Sequence, residues 1–222
     1  MTISEEFSRL VEIMHTLRAG CPWDRKQTHE SLRPYLLEEA YEVLHALDGG
    51  DREALKEELG DLMLQVVFHA EVAQENGDFT IEDVLRTISD KLIRRHPHVF
   101  AEAKADTPDD VVRHWEKVKR EEREKKSALD GVPDELPALL RAARTLSKIR
   151  QTGVDPFVAR DALEDLRMWT ERLEAALECD DEYTIERAAG MLCMAECEVA
   201  SDAGLNPEDA LRGRIQRLAA AF

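Results

Sequence analysis

An all-α protein is predicted by this sequence, on three observations. Apolar residues recur at helical spacing through almost every segment. Charged residues make up 35% and aromatics 5%, with only ten Gly and eight Pro among 222 residues, a balance that suits helices better than a β-sandwich or a disordered tail. The chain also repeats its own pattern, as helical arrays do.

The first helix is predicted over about Ser8–Arg18, with Leu10, Ile13, Met14 and Leu17 on one stripe, and it stops at Gly20-Cys21-Pro22. The second covers about Ser31–Leu47, with Pro34 tolerated in its first turn. Asp48-Gly49-Gly50-Asp51 supplies a stop and a new N-cap. The third covers about Arg52–Asn76, with a seam of Leu55, Leu59, Leu62, Val66 and Ala73. The fourth covers about Ile81–Arg95 and is broken by His96-Pro97-His98, read as a helix-terminating loop. The fifth is expected over about Pro108–Lys126, almost all charge around Val111, Val112, Trp115 and Val118.

Gly131–Pro137 reads as a joint between two units, 1–131 and 132–222. Shifted by 130 residues, segment 36–62 lies over 166–192 without a gap, and Leu36, Leu47, Asp51, Gly60 and Leu62 meet identical residues. After a four-residue deletion, 82–92 matches 208–218. We read this as a duplication. The apolar stripe in each unit is too wide for a lone helical hairpin, so four-helix packing is expected, between the repeats or by self-association.

Net charge excludes some partners. Asp and Glu total 47 against 30 Lys and Arg, a net −17, which repels nucleic acid polymers. No apolar run approaches the roughly 20 residues of a membrane span, and the first residues predict no secretory signal. Cys21, Cys179, Cys193 and Cys197 do not form a disulfide framework and read as free thiols of a cytoplasmic protein. Cys193 and Cys197 read as core thiols, and Cys21 as structural. No phosphate-cradling glycine loop of the GxxxxGK[ST] or GxGxxG kind is present.

The acids carry the chemical signal. Glu39 and Glu42 share one helix face, as do Glu58 and Asp61 on the next helix. Folding the two helices antiparallel about Gly49-Gly50 brings Glu42 and Glu58 level, on the order of 12 Å up the hairpin, and Glu39 and Asp61 level one turn higher, so the four can converge between the helices. Glu38 and Glu57 are adjacent extras. Four carboxylates beside Leu59 and Leu62 would repel, and a hard divalent cation such as Mg²⁺ or Mn²⁺ removes the conflict. A solvated acidic face is the competing reading. Lys91, Arg94 and Arg95 lie at i, i+3, i+4 on the fourth helix, and Lys119 one turn after Trp115; with a metal, these suit a phosphate ligand. Trp115 and Trp23 could each stack on a base. His96 and His98 could form a metal pair, but the adjacent Pro97 favours a helix-terminating loop.

The strings GCPWDRKQTHESLRPYLLEEAYEV (20–43), ELGDLMLQVVFHA (58–70), DKLIRRHPHVF (90–100) and HWEKVKREER (114–123) resemble the MazG family of all-α nucleoside triphosphate pyrophosphohydrolases over about residues 7–131. The resemblance implies Mg²⁺-dependent hydrolysis of nucleoside triphosphates to monophosphate and pyrophosphate, by a tandem-repeat protein that generally dimerises. It implies Glu39, Glu42, Glu58 and Asp61 as metal ligands, Lys91 as a phosphate contact and Trp115 as a nucleotide contact. Arg94, Arg95 and Lys119 join the substrate-binding set, and Glu38 is the expected base for the attacking water. A narrower range of dUTP, dCTP or oxidised nucleotides, and a non-catalytic nucleotide sensor or scaffold, are the rival expectations. The second unit departs from the pattern: Glu38, Glu39 and Glu42 become Met168, Trp169 and Arg172, and Glu57, Glu58 and Asp61 become Arg187, Ala188 and Met191. It is expected to hold no metal by this scheme.

Overall fold

A computed structural model describes residues 2–101, 105, 107, 110–111, 114–115, 118, 129–154 and 161–221, and every regular element among them is helical. The chain forms two compact units, Met1–Glu122 and Arg123–Phe222.

The first unit begins with α1 (Ile3–Gly20), started by a capping box in which Thr2 Oγ1 accepts from Glu5 N and Glu5 accepts from Thr2 N. A single tight turn, Asp24–Lys26, leads to α2 (His29–Gly49), capped reciprocally by Thr28 and Ser31. That cap starts α2 earlier than the sequence pattern implied. Pro34 therefore lies inside the helix, past its first turn, a correction to the expected placement. Gly50 ends α2 in the left-handed conformation at φ 68°, which glycine adopts without a steric cost. Asp51 caps α3 (Arg52–Asn76) by accepting from Glu53 N and Ala54 N. Thr80 and Asp83 cap α4 (Ile81–Arg95). His96 ends that helix, and Pro97 opens a further helical turn, α5 (Pro97–Phe100), where a loop was expected. Proline suits that first position because its missing N–H has no helical acceptor there. The fifth expected helix falls largely outside the described residues; Asp110, Val111, His114, Trp115 and Val118 are helical.

Met14, Leu32, Val67, Phe68, Ala70, Val72 and Ile81 form the core of this unit, with Phe7, Leu10, Val11, Leu64 and Val84 against it. Burying each large side chain contributes on the order of 2 kcal/mol. The core sits where α1 and α4 flank the open end of the α2–α3 hairpin. Toward the turn the hairpin is poorly covered: among described residues 33–64 only Ala46 is buried, while Leu37, Tyr41, Leu59 and Met63 are exposed. Two polar clasps tie α1 to α3. His15 Nδ1 lies 2.7 Å from Glu71 Oε1. Arg18, buried, donates to Glu75, to the Asp24 carbonyl and to the Gln27 carbonyl, fixing the turn before α2.

The second unit contains α6 (Ala138–Arg150), α7 (Ala162–Cys179), α8 (Glu182–Asp202) and α9 (Pro207–Ala219). Asp180 closes α7 in the left-handed conformation at φ 53°, so α7 and α8 form a second hairpin. Leu146, Trp169, Ala176, Ala188, Ala195 and Cys197 are its buried apolar residues. Buried Glu198 is paired with Arg150, which also reaches Asp202 at 3.0 Å. The four cysteines are free. Of the two expected core thiols only Cys197 is buried; Cys193 is exposed, because the buried stripe of α8 runs through Ala188, Ala195 and Cys197 and leaves it at the margin.

Candidate metal centre

The α2–α3 hairpin positions the acids. Gly50 reverses the chain and Asp51 restarts it, so residues equidistant from the turn face one another. Carboxylate oxygens of Glu39, Glu58 and Asp61 come within 4.8 Å of one another, each residue half-buried. Burial, then the charges of Asp61 and Glu42, push the Glu39 carboxyl above the usual range; a hydrogen bond with Glu42 acts the same way. Burial and then Glu42, Asp61 and Glu57 push Glu58 up as well. Hard oxygen donors brought together against their own repulsion suit a small divalent cation, so this donor set fits Mg²⁺ or Mn²⁺.

Glu42 is exposed and acts on both neighbours by charge, but it stands outside the group of three. Glu38 is exposed, roughly 100° round α2 from Glu39. Lys91 is half-buried on α4, lining a groove of about 450 Å³ with Phe79, Asp83, Val84, Thr87 and Ile88. Arg94 is exposed. Arg95 leaves the expected cationic row and lies over Trp115, 4.9 Å from the ring centroid. His96 meets the same indole edge-on at 5.1 Å. Lys119 lies outside the described residues. Trp23 is half-exposed and meets Tyr35, one turn before Glu39, at 5.8 Å.

Gln65 is a site residue that sequence reasoning missed. It is buried one turn after Asp61, and its Nε2 is 3.5 Å from Glu39 Oε1. Its i+4 spacing from Asp61 was the available signal. In the second unit, the positions that the 130-residue shift sets against Glu39, Glu42 and Glu58 hold Trp169, Arg172 and Ala188. Trp169 is 6% exposed, Ala188 is buried, and Arg172 stacks on the indole at 4.6 Å.

Comparison with known proteins adds independent information. The pattern described as the MazG nucleotide pyrophosphohydrolase domain matches residues 27–100. A crystal structure of a MazG-related protein from Thermotoga maritima is similar over 51% of this chain and 98% of that one, at 31% identity and a TM-score of 0.46. The "Nucleoside triphosphate pyrophosphohydrolase/pyrophosphatase MazG" of T. maritima is 42% identical over 220 residues, covering 97% of this chain and 84% of that protein. The "Nucleoside triphosphate pyrophosphohydrolase" of Escherichia coli K12 is 40% identical over 228 residues, covering 98% and 86%. Identity of that order along nearly all of this chain means that it belongs to the MazG nucleotide pyrophosphohydrolase family.

Proposed function

We propose that the protein is a Mg²⁺-dependent nucleoside triphosphate pyrophosphohydrolase, converting a ribo- or deoxyribonucleoside triphosphate and water to monophosphate and pyrophosphate. The convergence of Glu39, Glu58 and Asp61 carries this reading; the names of the relatives agree with it.

Glu39, Glu58 and Asp61, joined by Glu42, would hold Mg²⁺, with Mn²⁺ as a substitute. When bound, the ion neutralises phosphate charge and makes a bound water more acidic. Glu38, exposed beside the cluster, takes a proton from the water whose oxygen attacks the α-phosphorus. The α–β bridging oxygen leaves with the pyrophosphate. Lys91 donates to phosphate oxygens as that charge develops, and Arg94 and Lys119 add positive charge. Trp115 offers an indole face to the base, with Arg95 already settled on the ring. Substrate range is broad in this reading, since nothing among the described residues marks a single base.

Residues 132–222 are, in the same reading, a degenerate repeat whose metal position is filled. The support is local: both hairpins turn through a left-handed residue followed by Asp, Gly50-Asp51 and Asp180-Asp181. The exposed Leu37, Tyr41, Leu59 and Met63 on the acidic half of the first hairpin favour a homodimer, in which a second copy completes four-helix packing. Free cysteines and an intracellular substrate class favour the cytoplasm. Among the described residues, no helix is long and apolar enough to cross a membrane.

Pyrophosphate release from a panel of ribo-, deoxyribo- and oxidised triphosphates, with Mg²⁺ and a coupling pyrophosphatase, tests the function. Release that disappears in Glu39→Ala is expected. Release restricted to one base would narrow the range, and no release from any triphosphate would leave a nucleotide-binding or scaffold protein.

A further inference from the structure

A line of polar side chains leaves the carboxylate cluster and runs away from the turn along the α2–α3 seam. Gln65 stands one helical turn after Asp61, and His69 one turn after Gln65. Gln65 is 5% exposed. Its Nε2 faces Glu39 Oε1 at 3.5 Å, while its Oε1 is buried with no protein partner among the described residues. His69 Nδ1 lies 2.8 Å from Nδ1 of His29, with the two rings within 4° of parallel. His69 Nε2 is likewise buried without a protein partner among the described residues. Two polar atoms one turn apart, each shielded from solvent, are costly unless something bridges them. Side chains at i and i+4 are separated by about two hydrogen-bond lengths, which a single water spans.

The proton directions are fixed from one end. A carboxylate only accepts, so Gln65 turns its Nε2–H toward Glu39. Its Oε1 then faces away and needs a donor. His69 supplies one through a water if its Nε2 carries the proton. His69 Nδ1 is then the acceptor of the pair, and His29 donates from Nδ1–H. Each link uses one donor and one acceptor, with no conflict. Reversing the Gln65 amide would set its oxygen against Glu39. The line therefore selects the amide orientation that turns the Gln65 donor toward Glu39.

We propose that His29, His69, one buried water and Gln65 form a directed hydrogen-bonded chain that positions the Glu39 carboxylate for its cation. Gln65 and His69 are positioning residues in this scheme, since neither touches substrate. The proposal rests on Glu39 being a metal ligand.

Mn²⁺ binding to the full-length protein, followed by the electron paramagnetic resonance signal of the free ion, tests it. Gln65→Leu removes the donor and orphan oxygen at nearly constant volume, and it is expected to weaken Mn²⁺ affinity about tenfold while the melting temperature holds or rises. His69→Phe is expected to weaken affinity about threefold, and His69→Gln, which keeps a donor and an acceptor, to restore it. Mn²⁺ affinity unchanged in Gln65→Leu or in His69→Phe overturns the proposal. So does His69→Gln binding as weakly as His69→Phe, which would make the effect one of packing. Should Gln65→Leu fold poorly, the two His69 variants decide. Glu39→Gln is the separate control: normal Mn²⁺ binding there would remove Glu39 as a ligand, whatever the chain does.

Discussion

The guanidinium of Arg172 lies over the indole of Trp169, 4.6 Å from the ring centroid, at the hairpin level where the first unit gathers its carboxylates. Trp169 is nearly buried, in a hairpin whose other helix buries Ala188 and Ala195. Trp169→Ala is expected to cost about 3 kcal/mol, because a large aromatic leaves a cavity that small neighbours cannot fill. Thermal unfolding followed by circular dichroism checks this. Mn²⁺ affinity in the same variant should match the parent.

Glu58 is held above its usual range first by burial and then by the acids around it. Glu58→Gln removes one repelling charge. It should raise the melting temperature of the metal-free protein, and reduce pyrophosphate release by at least about 100-fold at saturating Mg²⁺. Millimolar Mg²⁺ should raise the melting temperature of the parent and have less effect on the variant. A variant that loses thermal stability without metal would contradict the repulsion described here.

Burial, reinforced by His29, holds the His69 imidazole below its ordinary pKa. Below about pH 6.5 the unfolded chain takes up this proton before the folded one. Stability from this group is therefore complete above about pH 6.5 and is lost as pH falls through the folded value. Urea unfolding near about pH 7.5 and about pH 5.5 should show the decline, and His69→Gln should make it shallower.

Arg18 joins Glu75 to two backbone carbonyls of the turn before α2. The hydrogen bond to Arg18 is the main cause holding Glu75 below the usual range. The pair's stabilisation is present above the ordinary glutamate pKa and fades as pH falls through the lowered one. Arg18→Met should cost about 2 kcal/mol at neutral pH, less than a fully buried pair because Glu75 is partly solvated. Chemical denaturation reads the cost. The difference from the parent should shrink in acid.

The acidic half of the α2–α3 hairpin has few buried neighbours of its own. Light scattering should give twice the chain mass. Leu59→Glu, on that face, should shift it toward the monomer. A parent that stays monomeric at concentrations well above those of the assay would count against self-association.

Helix positions were legible where an N-cap and a terminal glycine frame an apolar stripe. Arg52–Asn76 lies as expected between Asp51 and Gly77, and Ile81–Arg95 lies as expected between Thr80 and a break at His96-Pro97 instead of a glycine. α2 began early because the reciprocal cap of Thr28 and Ser31 carries no apolar signal. The approach of Glu39, Glu58 and Asp61 was legible because helical pitch puts Glu39 level with Asp61 in an antiparallel pair, and Glu58 one turn from Asp61 on the same face. Gln65 was not: its i+4 spacing from Asp61 puts it on the face of the acids but gives no sign that its amide turns toward Glu39. The Arg95–Trp115 stack was missed for a related reason, since i, i+4 spacing fixes a helix face but not where a long side chain bends.

The burial of Trp169 also limits what its helix can become. An indole that has become a keystone cannot be exchanged for an acid one step at a time. Glutamate alone would find a void and no companion acids, and companion acids alone would crowd a ring. Each halfway sequence is worse than its parent, so any new talent of that half of the chain must be built around the indole it already buries.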